Sequence, residues 1–345
     1  MSAELATELD LAAKVAALRE PRAYPEPPGS IEAVETHMSW VFLTPEFAYK
    51  LKKPVRYAYL DFSTLAARAR NCAEELRLNQ RLAPGVYLGV VALTQESDGR
   101  VRINGEGEVV EWLVKMRRLP LYRMLDSLIR RDAVLPEDIQ RLALLLAVFY
   151  RECPPVEMRG EDYRRDYEAM LGANLAVLGD PAYGLPVETV RKVYARLAEF
   201  ARQAPGLLAP RAAHNRIVEG HGDLRPEHVC LEARPVIFDR LEFNREFRLV
   251  DAADELGSLA MECERLGAAW IGPALFEAYA ESTGDRAPPA LLHFYMSYRA
   301  SLRARLAILH TRELPRAAWD KWRALAADYL RLAATHAERL AASPV

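Results

Sequence analysis

The spacing of apolar residues predicts a short helix, then mostly strands, then mostly helices. Leu5, Leu9, Ala12, Val15 and Leu18 recur at helical spacing, and a proline-rich stretch at 21–28 ends this helix. Short runs rich in β-branched and aromatic residues then predict strands, with one helix, N-capped by Ser63, between the second and third. The predicted strands are 40–43, 47–52, 86–93, 101–103 and 109–116.

The pattern changes character near residues 117–120. Pro136 is placed as at a helix start, and 139–150 is apolar nearly all round, which predicts a helix buried inside a lobe. Further helices are predicted over 161–202 and from about 240 to the end, with a short β segment at 229–238. We therefore predict an α+β chain of two domains. Residues 1–118 form a helix plus a β-rich lobe, and residues 119–345 form a larger helical lobe.

Composition and charge exclude several classes of protein. A length of 345 residues corresponds to about two domains, and a net charge of -2 argues against a nucleic-acid-binding polycation. The longest apolar run, Leu142–Tyr150, is far shorter than the ~20 residues of a membrane helix. The four cysteines include no Cys-x-x-Cys pair, and the acidic N-terminus does not resemble a signal segment. We expect a cytoplasmic protein with reduced thiols, without nucleic-acid or membrane partners.

Lysine is rare in this chain, yet it clusters. Only seven of the 46 basic residues are lysines, and three of these are Lys50, Lys52 and Lys53. A chain that prefers arginine elsewhere keeps lysine here, which favours a role for a compact ammonium charge. A solvated cluster on an edge strand explains this fact equally well.

The densest group of polar residues is His-Gly-Asp-Leu-Arg-Pro-Glu-His at 221–228. Two short apolar runs around a turn follow it and predict a hairpin. If Leu231 pairs with Val236, His228 lies across from Asp239, and Asp223 precedes this open end. Two carboxylates and an imidazole at one end of a hairpin suit a divalent cation and a general base.

These residues resemble the aminoglycoside phosphotransferase branch of the protein-kinase-like superfamily. The resemblance rests on 221–228 together with ETHMSWVFL at 35–43, YKLKKPV at 49–55, EELRLN at 74–79 and LEFN at 241–244. It extends over roughly residues 10–310 and includes a bacterial group of uncharacterised phosphotransferase-like proteins. It implies a two-lobed kinase-like fold and an ATP-dependent kinase that phosphorylates an alcohol group of a small-molecule acceptor.

The resemblance also implies roles for individual side chains. Asp223 would orient or deprotonate the acceptor hydroxyl, and Asp239 would hold Mg²⁺ against the phosphates. Lys50, in an Ala-Tyr-Lys context, would clamp the α- and β-phosphates, with Lys52 as the alternative. Glu75 would hold that lysine, with Glu74 as the alternative.

Further positions follow from the same resemblance. Arg225 would contact the transferring phosphate, or form a surface salt bridge. Ser39 and neighbouring amides would replace a glycine-rich phosphate loop, which this chain lacks. Adenine would contact the backbone from Met116 to Leu119, and Asp251 would brace the catalytic loop.

One position departs from the family pattern. His228 stands where the second metal ligand is normally Asn, and imidazole suits Mn²⁺ better than Mg²⁺. Three alternatives follow: Glu227 supplies the oxygen, one metal suffices, or catalysis is impaired. The last keeps open a second function, a weak pseudokinase acting as a nucleotide-responsive binding module.

Charge is divided along the helical lobe, which bears on the acceptor. Residues 251–285 are mostly acidic in their charges, and residues 286–345 are mostly basic. Arg299 and Arg303 lie four apart on one predicted helix face, which suits an anionic or polyhydroxyl acceptor rather than an aminoglycoside. Arginines that pair with acidic helices of the same lobe are the competing interpretation.

Overall fold

The computed structural model describes residues 9–154 and 156–343, and the chain divides into two compact units. The first unit runs to Leu121 and also contains Val236–Arg245. The second contains Tyr122–Pro235 and the chain from Glu246 onward. The sequence alone assigns 236–245 to the second domain, whereas its contacts place it with the first.

The first unit is built on a six-stranded antiparallel sheet. Its strands are β1 (Glu32–Glu35), β2 (Ser39–Leu43), β3 (Phe47–Lys52), the small separate pair β4 (Arg56–Tyr57) and β5 (Leu60–Asp61), β6 (Tyr87–Gln95), β7 (Val101–Ile103) and β8 (Glu108–Arg117). The strand order in the sheet is β1-β2-β3-β8-β6-β7. The helices are α1 (Leu11–Leu18) and α2 (Leu65–Asn79), and α2 packs against β8 and β6.

Three details differ from the sequence prediction. The edge strand β1 pairs with β2, whereas the predicted set of strands begins at residue 40. Thr64, not Ser63, caps α2, because its hydroxyl accepts from the amide of Ala67 at 3.1 Å. Leu5, predicted in the first helix, lies outside the described residues. The core of this unit joins Leu18 of α1 to buried residues of the sheet such as Phe42 and Leu113.

The second unit is mainly helical, and the helix α10 (Pro289–Leu309) lies at the centre of its core. Phe294 and Tyr295 of that helix are fully buried among residues of other helices. Its helices are α3 (Leu125–Arg130), α4 (Pro136–Glu152), α5 (Gly160–Leu178), α6 (Val187–Gln203), α7 (Pro205–Ala213), α8 (Ala252–Arg265), α9 (Ile271–Thr283), α10 (Pro289–Leu309) and α11 (Asp320–Ala342). Its strands are β9 (Ile217–Glu219), β10 (Val229–Cys230) and β12 (Leu249–Asp251); β11 (Val236–Ile237) belongs to the first unit.

Helix α4 is amphipathic, so the prediction of all-round burial is wrong. Leu142 and Leu146 are fully buried, whereas Leu144 is 52% exposed and Val148 39% exposed. Residues four apart lie on the same helix face, whereas Leu144 and Val148 are each two residues from Leu146 and lie on the opposite side of the helix. A continuous run of apolar residues therefore does not show how many of them are covered. Within the described part of the chain, no helix combines the length and hydropathy that a membrane crossing requires.

Candidate active site

In the first unit, the ammonium of Lys50 lies between two carboxylates. Its Nζ is 2.9 Å from Oε1 of Glu75 on α2 and 2.6 Å from Oδ1 of Asp239. Burial alone would lower the pKa of Lys50, but Asp239, Glu75 and Glu242 outweigh it, and the pKa is raised well above its usual value. The side chain is therefore a fixed positive charge at physiological pH.

Lys52 shares Glu75 with Lys50 but lies deeper. Because side chains alternate along a strand, residues 50 and 52 of β3 emerge on one face. Lys52 Nζ is 2.6 Å from Glu75 Oε2, also pairs with Glu242, and is 1% exposed. Burial would raise the pKa of Glu75, but the two lysines lower it. Glu74 instead pairs with Arg77 on the outside of α2, so the geometry favours Glu75 over Glu74 as the lysine partner.

Asp239 is held by backbone contacts that the sequence reasoning missed. Its amide donates to the hydroxyl of Tyr87 at 3.1 Å, and the next amide, of Arg240, donates to Asn79 Oδ1 at 2.8 Å. Asp239 has φ +61°, a left-handed conformation that few non-glycine residues adopt and that Asp tolerates better than most. Asn79 closes the EELRLN motif, so its position in that motif was the available signal.

The proposed nucleotide contacts in this unit are backbone groups. Thr36 and Ser39 close a tight turn, in which the amide of Ser39 donates to Thr36 Oγ1 at 3.0 Å. Met116 lies inside the sheet on β8, where it pairs with Ala48 and Tyr87. The amides of Arg117 and Arg118 donate to carbonyls of Val86 and Glu46. Leu119 is the residue that follows Arg118 in the chain.

In the second unit, Glu255 of α8 holds the start of the loop at residues 221–228. Its carboxylate accepts from the amides of His221 at 2.8 Å and Gly222 at 2.6 Å, and from the hydroxyl of Tyr150 at 2.8 Å. Gly222 has φ +89°, and a Cβ at Gly220 would stand 2.6 Å from Glu255 Oε2, so both positions need glycine. The sequence reasoning missed Glu255.

Asp223 follows this anchored turn and is partly exposed. Its carboxylate oxygens lie 3.3 Å from Arg225 Nε and 3.7 Å from Arg303 Nη1. Burial would raise the pKa of Asp223, but the guanidiniums of Arg225 and Arg303 lower it below its usual value. Asp223 is therefore an ionised carboxylate across the neutral pH range, as a group that accepts a proton must be.

His228 braces the same loop with both ring nitrogens. Nδ1 is 2.8 Å from the carbonyl oxygen of Asp223, to which it donates, so Nε2 accepts from Arg225 Nη2 at 3.3 Å. These contacts argue against the predicted metal-ligand role of His228, because the Nε2 lone pair faces a guanidinium. The predicted approach of His228 to Asp239 involves both units and stays a prediction.

Asp239 fits a magnesium site in which the protein supplies few of the ligands. Residues 9–154 and 156–343 contain no group of three or more His, Cys, Asp or Glu arranged to hold a metal ion. Mg²⁺ commonly binds one or two carboxylates together with substrate phosphates and water, so no such group is needed. The Asp239 carboxylate, 40% exposed, is a suitable oxygen ligand.

The two arginines assigned to the acceptor differ. Arg299 makes a two-pronged contact to buried Asp254 of α8 and is 14% exposed, which favours the competing interpretation, pairing with an acidic helix of the same lobe. Arg303 is 22% exposed and lies between Asp223 and Glu262, 3.2 Å from Glu262 Oε1. Asp251 is also buried, and it pairs with Arg211 and accepts from Tyr295.

Comparison with known sequences identifies relatives of undefined activity. The chain is 33% identical over 304 residues to uncharacterised proteins from Mycobacterium tuberculosis and Mycobacterium bovis, covering 86% of this chain and 58% of theirs. The chain thus spans little more than half the length of these curated relatives. No protein-family model matches it.

Comparison with solved structures identifies the fold. A choline/ethanolamine kinase family protein from Mesorhizobium loti aligns with a TM-score of 0.50 and 18% identity, covering 92% of this chain and 89% of that one. An aminoglycoside phosphotransferase from Streptomyces rimosus aligns over 85% of this chain and 98% of its own, with 20% identity and a TM-score of 0.46. The chain has the protein-kinase-like fold of the choline/ethanolamine kinase family protein, with a β-sheet lobe and a helical lobe.

Proposed function

We propose that this protein is an ATP-dependent phosphotransferase that phosphorylates a hydroxyl group of a small molecule. The observation that carries the proposal is the Lys50 ammonium held between Glu75 and Asp239, a charge arrangement suited to binding phosphates and their metal. A cytoplasmic location, where ATP is available, fits this activity.

In this proposal the first unit binds the nucleotide. Lys50 neutralises charge on the α- and β-phosphates, and Glu75 fixes the lysine in place. The Leu119 backbone contacts adenine, and the turn that ends at Ser39 covers the phosphates. Mg²⁺ bound by Asp239 would neutralise further phosphate charge. Lys52 is too buried to reach a phosphate and instead holds Glu75 and Glu242.

The second unit supplies the base. Asp223 accepts the proton of the acceptor hydroxyl while the hydroxyl oxygen bonds to the γ-phosphorus of ATP. The bond between the γ-phosphorus and the oxygen that bridges it to the β-phosphate breaks, and ADP is released. Arg225, beside Asp223, stabilises charge on the transferring group. Glu255 and His228 keep the loop in one conformation, so that the carboxylate is oriented before the acceptor binds.

The charges around Asp223 bear on the acceptor. Two guanidiniums lie within 4 Å of its carboxylate, one from Arg225 and one from Arg303. A cationic amino alcohol bound there would meet like charge, which costs binding free energy. We therefore propose an uncharged or anionic alcohol as the acceptor.

The test is ATP turnover by the purified protein with Mg²⁺ or Mn²⁺, in the presence of polyols, hydroxy acids and amino alcohols. We expect Asp223→Asn to lower transfer by about 10²–10⁴-fold while nucleotide affinity stays near that of the unmodified protein. Unchanged turnover in that variant would remove Asp223 from the reaction. Efficient use of amino alcohols alone would contradict the acceptor proposal.

A second candidate is a nucleotide-responsive binding module with weak or no catalysis. His228 favours it, because this side chain stands where the resemblance expects an amide ligand and its nitrogens are engaged within the loop. Metal-dependent nucleotide binding without turnover in any acceptor assay would support this candidate.

A further inference from the structure

A buried network of three charged side chains joins α1, α2 and β8 of the first unit. Glu111 on β8 lies 2.9 Å from Arg68 Nε and 2.8 Å from Arg68 Nη2, and its Oε2 is 3.0 Å from Lys14 Nζ. Lys14, Arg68 and Glu111 are each no more than 3% exposed. Burying charges is costly unless they are paired, so these three positions depend on one another.

Each member of the network fixes one element. Lys14 comes from α1, whose Leu18 packs into the core with residues of the sheet. Arg68 comes from the first turn of α2, and its Nη1 donates to the carbonyl oxygens of Phe62 and Ser63. Glu111 comes from the middle of β8, opposite Leu93 of β6. The network therefore ties both helices to the same strand.

The helix that Arg68 anchors also carries the lysine partner of the proposed active site. Arg68 and Glu75 lie seven residues apart on α2, two helical turns, and so point from the same face. Both are fully or almost fully buried, as is Cys72 between them. A shift of α2 away from β8 would move Glu75 away from Lys50, and errors of about 1 Å in such positions can cost 10²-fold in rate.

We propose that Lys14, Glu111 and Arg68 form a positioning network through which the N-terminal helix α1 holds α2, and with it Glu75, in the place that orients Lys50. These are positioning residues, because their ion pairs join α1, α2 and β8 to one another. The inference concerns catalysis only if the proposed function is correct, but the coupling between α1 and α2 is independent of it.

Cys72 provides a direct readout of α2 docking. Its thiol is fully buried, lies 3.8 Å from the carbonyl oxygen of Trp112 on β8, and has a pKa that burial raises to about 12. It therefore reacts with an alkylating reagent only when α2 opens. Cys153, Cys230 and Cys263, buried in the second unit, report on opening elsewhere and serve as internal controls.

The experiment measures alkylation of each cysteine by peptide mass spectrometry in the full chain. Lys14→Met leaves Glu111 paired with Arg68 and is the first variant; Arg68→Lys, which keeps the charge but loses the two-pronged contact, is the second. Arg100→Met, which breaks an exposed pair with Asp98 in the same unit, is the matched control. We expect both network variants to label Cys72 at least tenfold faster, with the other cysteines and the control unchanged.

Measurements of turnover then test whether the network affects catalysis through Glu75 and Lys50. We expect Lys14→Met to lower kcat at a temperature where the protein is folded, and to add little to the loss in a Glu75→Gln background, because both changes act on the same pair. Unchanged Cys72 labelling, or equal acceleration at all four cysteines, would overturn the coupling. Faster Cys72 labelling with unchanged kcat would overturn the positioning role. If even the unmodified protein lacks turnover, the proposed function fails, and labelling alone decides the coupling.

Discussion

At the scale of single residues, burial separates two lysines that the sequence could not tell apart. Lys50 and Lys52 lie on the same face of β3 and share Glu75, yet Lys50 also contacts Asp239, which is 40% exposed, whereas Lys52 is enclosed with Glu242. A group that binds a ligand must be reachable, and a buried ion pair is a structural element whose loss is costly. We therefore expect loss of Lys50 to affect ATP binding and loss of Lys52 to affect stability.

We expect Lys50→Met to raise KM for ATP by about tenfold or more, because a charge-assisted contact to phosphate is lost. Lys52→Met should lower the melting temperature by more than Lys50→Met does, since breaking a buried pair costs about 3–5 kcal/mol. Its KM for ATP should change little where the variant is folded. Steady-state kinetics and thermal unfolding of both variants check this. A larger KM effect for Lys52→Met would exchange the two assignments.

His228 gives a second prediction at this scale. Because its ring nitrogens contact the Asp223 carbonyl and Arg225, we expect His228→Asn to lower kcat while leaving the ratio of Mg²⁺- to Mn²⁺-supported turnover unchanged. The measurement is turnover at saturating ATP over a series of each metal. A shift of preference toward Mg²⁺ would instead support the metal-ligand role that the sequence suggested.

At the scale of elements, α8 shows how one helix can support a site through several acidic residues. Asp254 pairs with Arg299, Glu255 holds the loop at residues 221–228, and Glu262 contacts Arg303, Arg265 and the hydroxyl of Tyr329. All three are almost fully buried, so each carboxylate needs its partners. The acidic composition of this stretch reflects internal pairing, which removes it as evidence about the charge of an acceptor.

The contact between α10 and α11 predicts a pH dependence of stability. His293 Nδ1 lies 3.1 Å from His336 Nδ1, and His336 Nε2 lies 3.0 Å from Glu264. Burial, with the neighbouring His336 and Arg339, lowers the pKa of His293 to about 4. Between about pH 6.5 and 4 the unfolded chain therefore binds a proton that the folded chain does not, and stability falls as pH falls.

We expect His293→Gln to lose less melting temperature than the unmodified protein between pH 7 and about pH 4.5. His214→Gln, at the exposed end of α7, is the control and should follow the unmodified protein. The measurement is thermal unfolding over a pH series. Parallel curves for His293→Gln and the unmodified protein would contradict the assignment.

At the scale of the whole molecule, the first unit is completed by a segment from far along the chain. Val236–Arg245 brings Asp239 and Glu242 to Lys50 and Lys52, about 190 residues earlier in the sequence.

We expect a mixture of ATP and Mg²⁺ to raise the melting temperature of the full chain, since a ligand that binds the folded state stabilises it. Asp239→Ala should abolish the part of this increase that depends on Mg²⁺.

Thermal unfolding with ATP alone and with ATP plus Mg²⁺ measures that difference. Asp98→Ala, which removes an exposed carboxylate of the same unit, is the matched control and should keep the full increase. An unchanged Mg²⁺-dependent increase in Asp239→Ala would show that other groups hold the metal.

Local sequence patterns were sufficient to predict the fold class and to nominate residues for the candidate site. Alternating and helical periodicities predicted the β-rich start and helical remainder, and the α+β kinase-like fold is confirmed. Lys50 and Lys52 share a face because side chains alternate along a strand, a local property that the spacing of two residues already implies.

Which of these residues pair with one another is visible only in the folded chain. There Glu75 rather than Glu74 contacts the lysines, Arg299 pairs with Asp254, and His228 contacts the Asp223 carbonyl. The folded chain also shows Glu255 and the buried Lys14–Glu111–Arg68 network. Burial and ion pairing depend on residues far apart in the chain, so no local pattern records them. The sequence around a charged residue does not show whether its side chain faces solvent or a buried carboxylate.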